Sequence, residues 1–220
     1  MIVVVSVHRG RKKSLKVGSR QVSTGITKTE VSGRVTIHQE GLLGDTICDA
    51  RHHGGADQAI YIYRQEDYEY WHRQYRTAFA AGGFGENLLL SGLDTNLMIG
   101  DRLTFEDLEL EVSAPRIPCG VLGASVPHRG FSKAFQQAER PGFYCRVLKP
   151  GTIGAGDMAE LARPYPNGKT LIDLFRANYA QLDEAALAAF LDLPIDARTR
   201  RKFETKRSKL RSGFSSHPPE

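Results

Sequence analysis

The sequence has few cysteines and no long hydrophobic run. Its three cysteines, Cys48, Cys119 and Cys145, show no paired spacing, so we expect reduced thiols rather than a disulfide framework. No apolar stretch approaches the roughly 20 residues that a membrane helix needs. The opening residues, MIVVVSV, have no basic start and are too short for the core of a secretory signal. These absences predict a cytoplasmic protein without a membrane segment.

Motifs for metals and redox cofactors are also scarce. His52 and His53 are adjacent, but neighbours in an extended chain point to opposite sides and chelate one ion poorly. A loop histidine that hydrogen-bonds a ligand or the backbone is therefore the favoured interpretation. No flavin or iron–sulfur motif is found, so a redox reaction would need an external electron-donor protein.

Glycine and proline, by contrast, are abundant. The 220 residues include 22 glycines and 10 prolines, which favours turns and short strands over long helices. A chain of this length allows one domain, or one domain with a small appendage. The net charge of +5 and the isoelectric point near 9.1 are compatible with an anionic ligand. They do not establish nucleic-acid binding.

Apolar–polar alternation and β-branched runs predict strands. These cover residues 2–7, 35–37 and 60–63, and two strands over 98–116 around a turn at Glu106 and Asp107. Cys145 lies in a further strand pattern and is interpreted as a packing residue. Arg146 then points to the opposite face, where it could reach a ligand. The basic stretch over residues 8–21 predicts a solvated loop.

Helical signals fall into two groups. Regularly spaced aromatic residues predict an amphipathic helix over residues 66–79, and residues 132–139 predict a short helix with Ser132 as its N-cap. The RPYPNG segment at 163–168 marks a boundary. Three helices are expected beyond it.

The first of these three helices covers residues 170–177, Asp183 caps the second, and Asp196 begins a very basic third. A solvated face is the favoured interpretation of this charge. Nucleic acid or an acidic partner is the alternative. Nucleic-acid binding ranks last, because aromatic residues for base stacking are missing from this segment.

Cys119 ends a proline-rich stretch, SAPRIPC. Pro115 and Pro118 predict a rigid, irregular loop, and the nearby Arg116 favours the thiolate form of the cysteine. A thiolate can act as a nucleophile or as a ligand for a soft metal. The alternative is a small apolar residue that fills a gap between loop and core.

Two other stretches could contact a ligand. Ser23, Thr24 and Lys28 surround a glycine and could wrap an anion, although the same pattern is common in turns. Glu86 and Asn87 precede an apolar run, where they could be caps or ligand contacts.

Several separated motifs follow one another along the chain: STGITK, GLLGD, HHGGADQAIYIY, FGENL, GL, IGDRL, PRIPC, GFYCRVL and GAGD. This order resembles that of MOSC-domain proteins, the relatives of the C-terminal domain of molybdenum cofactor sulfurase. The resemblance is to the YiiM-type branch and covers essentially residues 1–210. It implies a mainly β fold with short helices, in which a MOSC-type β-barrel over residues 1–163 precedes a small α-helical domain over 164–220.

The resemblance also implies a molybdopterin-type molybdenum cofactor, with Cys119 as ligand or sulfur donor to molybdenum. For the family as a whole, the resemblance also implies pyridoxal phosphate binding. The implied catalytic residues are Cys119, His53 and Arg116. The implied cofactor-binding residues are Ser23, Thr24, Lys28, Arg51, Asp57, Asn87 and Arg146.

The chain departs from the family pattern directly after the cysteine. Relatives usually have an aromatic residue, a lysine and a leucine there, whereas this chain has Gly120, Val121 and Leu122. The thiol itself is retained.

The implied activity is reduction of small N-hydroxylated compounds, such as 6-hydroxylaminopurine, to amines. The cofactor supplies the redox chemistry and the protein orients it; an external electron-donor protein is a required partner, and a homodimer is a further expectation. The rival hypothesis is a non-enzymatic cofactor carrier, or a sulfur-relay protein with a persulfide on Cys119.

Overall fold

The computed structural model describes residues 1–49 and 53–214, with side chains as far as residue 212. The strands are β1 (Ile2–Gly10), β2 (Lys13–Val17), β3 (Arg20–Thr24), β4 (Lys28–Glu30), β5 (Val35–His38), β6 (Gly41–Leu42), β7 (Ile60–Arg64), β8 (Leu88–Ser91), β9 (Arg102–Thr104), β10 (Glu109–Pro115), β11 (Phe143–Lys149), β12 (Gly151–Ile153) and β13 (Met158–Ala162). The helices are α1 (Gln65–Tyr75), α2 (Gly120–Ser125), α3 (Phe131–Ala138), α4 (Leu171–Ala177), α5 (Glu184–Leu191) and α6 (Ala197–Phe214), with a 3-10 turn at Ala56–Gln58.

Seven strands close into a barrel in the order β13–β9–β10–β11–β7–β8–β1. The barrel closes because β1 pairs with β13 at one end and with β8 along most of its length. The β7–β8 pair is parallel, and α1 connects the two strands. The expected fold, a MOSC-type β-barrel with short helices and a helical C-terminal part, is confirmed.

Strand β7 shows how the sequence builds two cores. Its side chains alternate across the sheet, so Ile60 and Ile62 join the main apolar core inside the barrel. Tyr61 and Tyr63 point to the other face and join an aromatic cluster beside α1, α2 and α3. Trp71 of α1 anchors this cluster, with its Nε1 donating to the hydroxyl of Tyr63 at 2.7 Å. Both faces of the strand are thus buried.

The C-terminal helices share the main core of the barrel. Leu174, Leu187 and Phe203, one from each helix, belong to the same apolar cluster as the barrel strands. As the sequence predicted, Asp183 caps α5 by accepting a hydrogen bond from the Ala186 N–H at 2.7 Å. None of the helices within the described ranges is long and apolar enough to cross a membrane.

Residues 8–21 are not the solvated loop that their composition predicted. β1 continues into this stretch, and Lys13–Val17 pairs with Arg20–Thr24 as a hairpin. Gly18 has a φ of 60° in the connecting turn, which glycine adopts without steric cost. The missed signal is the short apolar alternation on either side of a Gly-Ser pair.

Three helical predictions also need correction. α1 is shorter than expected and ends at Tyr75, because Arg76 adopts a left-handed conformation. Gly130, not Ser132, is the N-cap of α3, and Ser132 lies within that helix. The short helix α2, directly after Cys119, was not expected.

Candidate active site

Cys119 stands where the chain leaves the barrel. Strand β10 ends at Pro115, and Cys119 is the extended residue at the N-cap of α2, with φ −122° and ψ 171°. The hydroxyl of Ser132 donates to its carbonyl oxygen at 3.1 Å, which ties the loop to α3. The side chain is half-buried, so the thiol is held in place and still reachable.

The surroundings of Cys119 favour its thiolate form. Burial alone would raise the pKa of the thiol, but a hydrogen bond from His53 and the positive charge of Arg116 help to lower it to about 6. The backbone N–H of Leu122 also helps to lower the pKa of the Cys119 thiol. The lowered pKa means that the thiol is mostly ionised at neutral pH.

Arg116 brings a buried positive charge close to this thiol. It is 4% exposed; its Nη1 donates to the carbonyl of Phe84 at 2.6 Å, and its guanidinium carbon lies 4.7 Å from the centre of the Tyr61 ring. Its Nε has no hydrogen-bond partner among the described residues. A buried donor of this kind is rarely left unpaired, so it could bind a ligand oxygen.

A network of buried polar groups also surrounds Asp45. Its carboxylate forms an ion pair with Lys28, accepts from the Asn87 amide at 2.9 Å and accepts from the Gly10 N–H at 2.7 Å. Burial lowers the pKa of Lys28, and Asp45 opposes that shift. Lys28 is therefore already balanced by a carboxylate of the chain itself.

His8 and Glu86 complete this buried layer. Burial, and secondarily the charge of Lys28, lowers the pKa of His8 to about 4. Glu86 is fully buried and accepts hydrogen bonds from Tyr68 at 2.8 Å and from the Gly82 N–H. Burial raises its pKa. Its second carboxylate oxygen has no partner among the described residues.

Cys119, Arg116, Lys28, Asp45 and Asn87 line one cavity, called the inner cavity below, of about 690 Å³ with its open mouth included, whereas His8 and Glu86 are not part of its lining. A β-carbon on Gly25, in its wall, would lie 2.1 Å from the Thr46 carbonyl oxygen, so this position needs glycine. Seven of the site residues expected from the sequence line the cavity: Ser23, Thr24, Lys28, His53, Asn87, Arg116 and Cys119.

The remaining expected site residues lie elsewhere. Asp57 and Arg146 are not in the lining of the inner cavity. Asp57 accepts from Arg146 Nε at 2.9 Å and from the Ala197 N–H at 2.8 Å, and Arg146 also pairs with Glu111 at 2.7 Å. Both side chains thus connect the barrel to the start of α6. Arg51 and the neighbouring His52 lie outside the described residues.

Several residues of the site were not identified from the sequence. Asp45 ends the GLLGD motif, whose sequence gives it no specific role, and Glu86 beside Asn87 was expected only as a cap or a ligand contact. His8 was hidden in the stretch that predicted a loop. Tyr61 and Tyr144 line the inner cavity from their strands. Strand alternation predicts which side of the sheet these two side chains occupy, but it does not predict which residues or cavities lie on that side.

The described residues contain no group of three or more His, Cys, Asp or Glu side chains that could hold a metal ion by themselves. The MOSC-domain family model matches residues 49–160, a segment that contains His53, Asn87, Arg116 and Cys119. The chain belongs to the MOSC-domain family.

Similar proteins support a YiiM-type member. YiiM of Escherichia coli (strain K12) is 31% identical over 161 residues, which cover 71% of this chain and 70% of that protein. A protein of Gibberella moniliformis named reductase is 33% identical over 77% of this chain, but over only 31% of its own length. The crystal structure of YiiM from Geobacillus stearothermophilus matches 94% of this chain and all of that one, with a TM-score of 0.78 and 28% identity.

Proposed function

We propose that the protein is a molybdenum-cofactor-dependent reductase that converts N-hydroxylated compounds, such as 6-hydroxylaminopurine, to amines. The observation that carries this proposal is the Cys119 thiol, whose pKa is lowered to about 6 in the wall of the inner cavity. Membership of the MOSC family and the similarity to a protein named reductase support the same chemistry.

The groups in the inner cavity suit a molybdopterin-type cofactor. A thiolate is a good ligand for a soft metal, and Cys119 would hold the molybdenum. The unpaired Nε of Arg116 would donate to an oxygen of the pterin or its phosphate. Ser23 and Thr24 would add hydroxyl groups, while Lys28 and Asp45 keep the amide of Asn87 in place.

When bound, the cofactor supplies the two-electron chemistry that removes oxygen from the substrate. The overall reaction takes R–NHOH, two electrons and two protons to R–NH₂ and water. His53 hydrogen-bonds the Cys119 thiol, so a ring nitrogen of His53 lies beside the reacting centre and can deliver a proton to the departing oxygen. We expect the electrons to come from an external electron-donor protein.

The test is to purify the protein from a host that makes the cofactor and to measure its molybdenum and pterin content. Reduction of 6-hydroxylaminopurine is measured in parallel with a chemical electron donor. We expect about one molybdenum per chain in the native protein. The Cys119→Ala variant should lose the metal, and its activity should fall at least about a hundredfold. A metal-free native protein, or full activity of the variant, would contradict the proposal.

A cofactor carrier or persulfide relay is the second candidate. The half-buried, ionised Cys119 favours it too, because a thiolate is also the form that accepts a sulfur atom. The two candidates differ in turnover. A relay would show a Cys119 persulfide by mass spectrometry, and a carrier would bind molybdenum cofactor, but neither would reduce an N-hydroxylated compound.

A further inference from the structure

A strongly basic β-hairpin stands beside the inner cavity. It covers residues 11–24, which contain β2 and β3, and is called the basic hairpin below. The segment has no acidic residue. Its cations are all exposed, and none forms an ion pair with another residue of the described ranges: Arg11, Lys12, Lys13, Lys16 and Arg20. The basic hairpin thus presents positive charge to the solvent that the chain itself does not balance.

Helix α6 is also rich in basic residues, but much of its charge is used within the chain. Arg207 and Arg211 both form ion pairs with Glu184 of α5. Arg200 donates to two backbone carbonyls near the end of α5, at 2.8 and 2.7 Å. These contacts hold α6 against α5. The basic hairpin, and not the more basic α6, is therefore the stronger candidate for binding a charged partner.

The basic hairpin is joined to the inner cavity at two places. At its base, Ser23 and Thr24 of β3 line the cavity. Near its turn, β2 packs on α2, where a β-carbon added to Gly120 would lie 3.4 Å from Cγ1 of Val17. Gly120 directly follows Cys119. A molecule bound to the basic hairpin would therefore lie beside the cavity that contains this thiol.

Two large apolar side chains are exposed next to the base of the basic hairpin. Leu43 is 54% exposed and Ile47 is 41% exposed, and the Gly10 N–H holds the loop that carries them through its hydrogen bond to Asp45. The same loop ends at Asp49, whose single negative charge leaves the surface strongly positive. Apolar side chains beside a charged border are typical of a protein interface, whereas nonspecific nucleic-acid binding relies mainly on charge.

We propose that the basic hairpin, with Leu43 and Ile47, is the docking surface for a small acidic electron-transfer protein. This inference rests on the proposed function, whose reaction takes two electrons per substrate from an external donor. A one-electron carrier docks twice in each turnover, arriving reduced and leaving oxidised by one electron. The unpaired cations attract and orient an acidic partner. Redox partners of this kind use small, weak interfaces, which suits a surface of one hairpin and one loop.

Flavodoxin, a small acidic protein that carries electrons on a flavin, is the probe for this surface. Its binding to the cofactor-free protein is measured by calorimetry at low salt, which requires no turnover. Lys12→Glu with Lys16→Glu reverses two charges of the basic hairpin and should weaken binding at least about tenfold. Lys206→Glu with Lys209→Glu makes the same change in net charge on α6 and should weaken it less than about twofold. Cytochrome c, a basic electron carrier, should not bind.

The loaded enzyme gives a second measurement. The variant of the basic hairpin should raise the KM for reduced flavodoxin at least about tenfold, with molybdenum content unchanged. Reduction of 6-hydroxylaminopurine by reduced methyl viologen should not become slower in this variant, because a small cationic donor does not need a basic docking surface.

The inference and the proposed function fail in different ways. No flavodoxin binding by the native protein, or equal weakening in the two paired variants, would overturn the inference even if the enzyme turns over with methyl viologen. Binding of a short DNA duplex but not of flavodoxin, lost in the variant of the basic hairpin, would overturn the assignment of an acidic protein. Absence of molybdenum and of turnover with methyl viologen would instead count against the proposed function, since flavodoxin binding needs neither.

Discussion

Cys119 and Cys145 are two thiols of one barrel with opposite properties. Cys145 lies in β11, fully buried between Val112 of β10 and Ile60 of β7. Burial, reinforced by the Glu111 carboxylate, raises the pKa of its thiol. Cys119 is also partly buried, yet the pKa of its thiol falls to about 6.

The difference shows that the protonation state of a buried thiol depends on the groups beside it and not on burial alone. Cys119 has His53 and Arg116 beside it, and both stabilise a negative charge. Arg146 is close to Cys145 and favours its ionised form, but Arg146 is already paired with Asp57 and Glu111. The neutral thiol of Cys145 therefore serves as a packing group.

The largest expected effect is on alkylation of the two thiols. At pH 7 we expect iodoacetamide to modify Cys119 at least about a hundredfold faster than Cys145, because only Cys119 is both ionised and accessible. Peptide mass spectrometry of the folded, cofactor-free protein measures both rates. Cys48 is exposed and would also be alkylated. The measurement should therefore be made in the Cys48→Ser variant. Similar rates at the two sites would contradict the comparison.

A smaller effect is expected on the pH dependence of Cys119. Its pKa of about 6 lies below the ordinary value of 9.0, so the alkylation rate should rise with pH through a midpoint near 6. His53→Ala removes a hydrogen bond to the thiolate and should move that midpoint upward by about one unit, which is about tenfold in the ionisation constant.

His38→Ala is the matched control for this measurement, because His38 is an exposed histidine at the end of β5. It should leave the midpoint unchanged. A midpoint near 9 in the native protein, or no shift in His53→Ala, would show that the surroundings of Cys119 do not activate it.

Much of the fold could be predicted from local sequence. Alternation placed Ile60 and Ile62 on one face of a strand, and the prolines around Arg116 placed Cys119 at the end of a stiff segment. Caps such as Asp183 act within three residues along the chain. These features depend on neighbours in sequence, so their chemistry is visible without a structure.

The contacts that could not be predicted from the sequence join residues that are far apart in the chain and close together in the fold. Lys28 pairs with Asp45, and Arg198 donates to Gln58 across 140 positions of the chain. Periodicity tells which side of a strand is buried but not what packs against it. The contact of α6 with Gln58 through Arg198 was for this reason out of reach, and the basic sequence of α6 indicated only a solvated face.

The smallest expected effect concerns stability rather than reactivity. Cys145→Ala removes a sulfur atom from a fully buried position and should lower the free energy of unfolding by about 1–2 kcal/mol, as measured by urea denaturation at pH 7. Its molybdenum content and activity should stay near the native values, because Cys145 does not line the inner cavity. Loss of metal from Cys145→Ala would mean that the two thiols are not separate in function, and the contrast between a packing thiol and a ligand thiol would have to be abandoned.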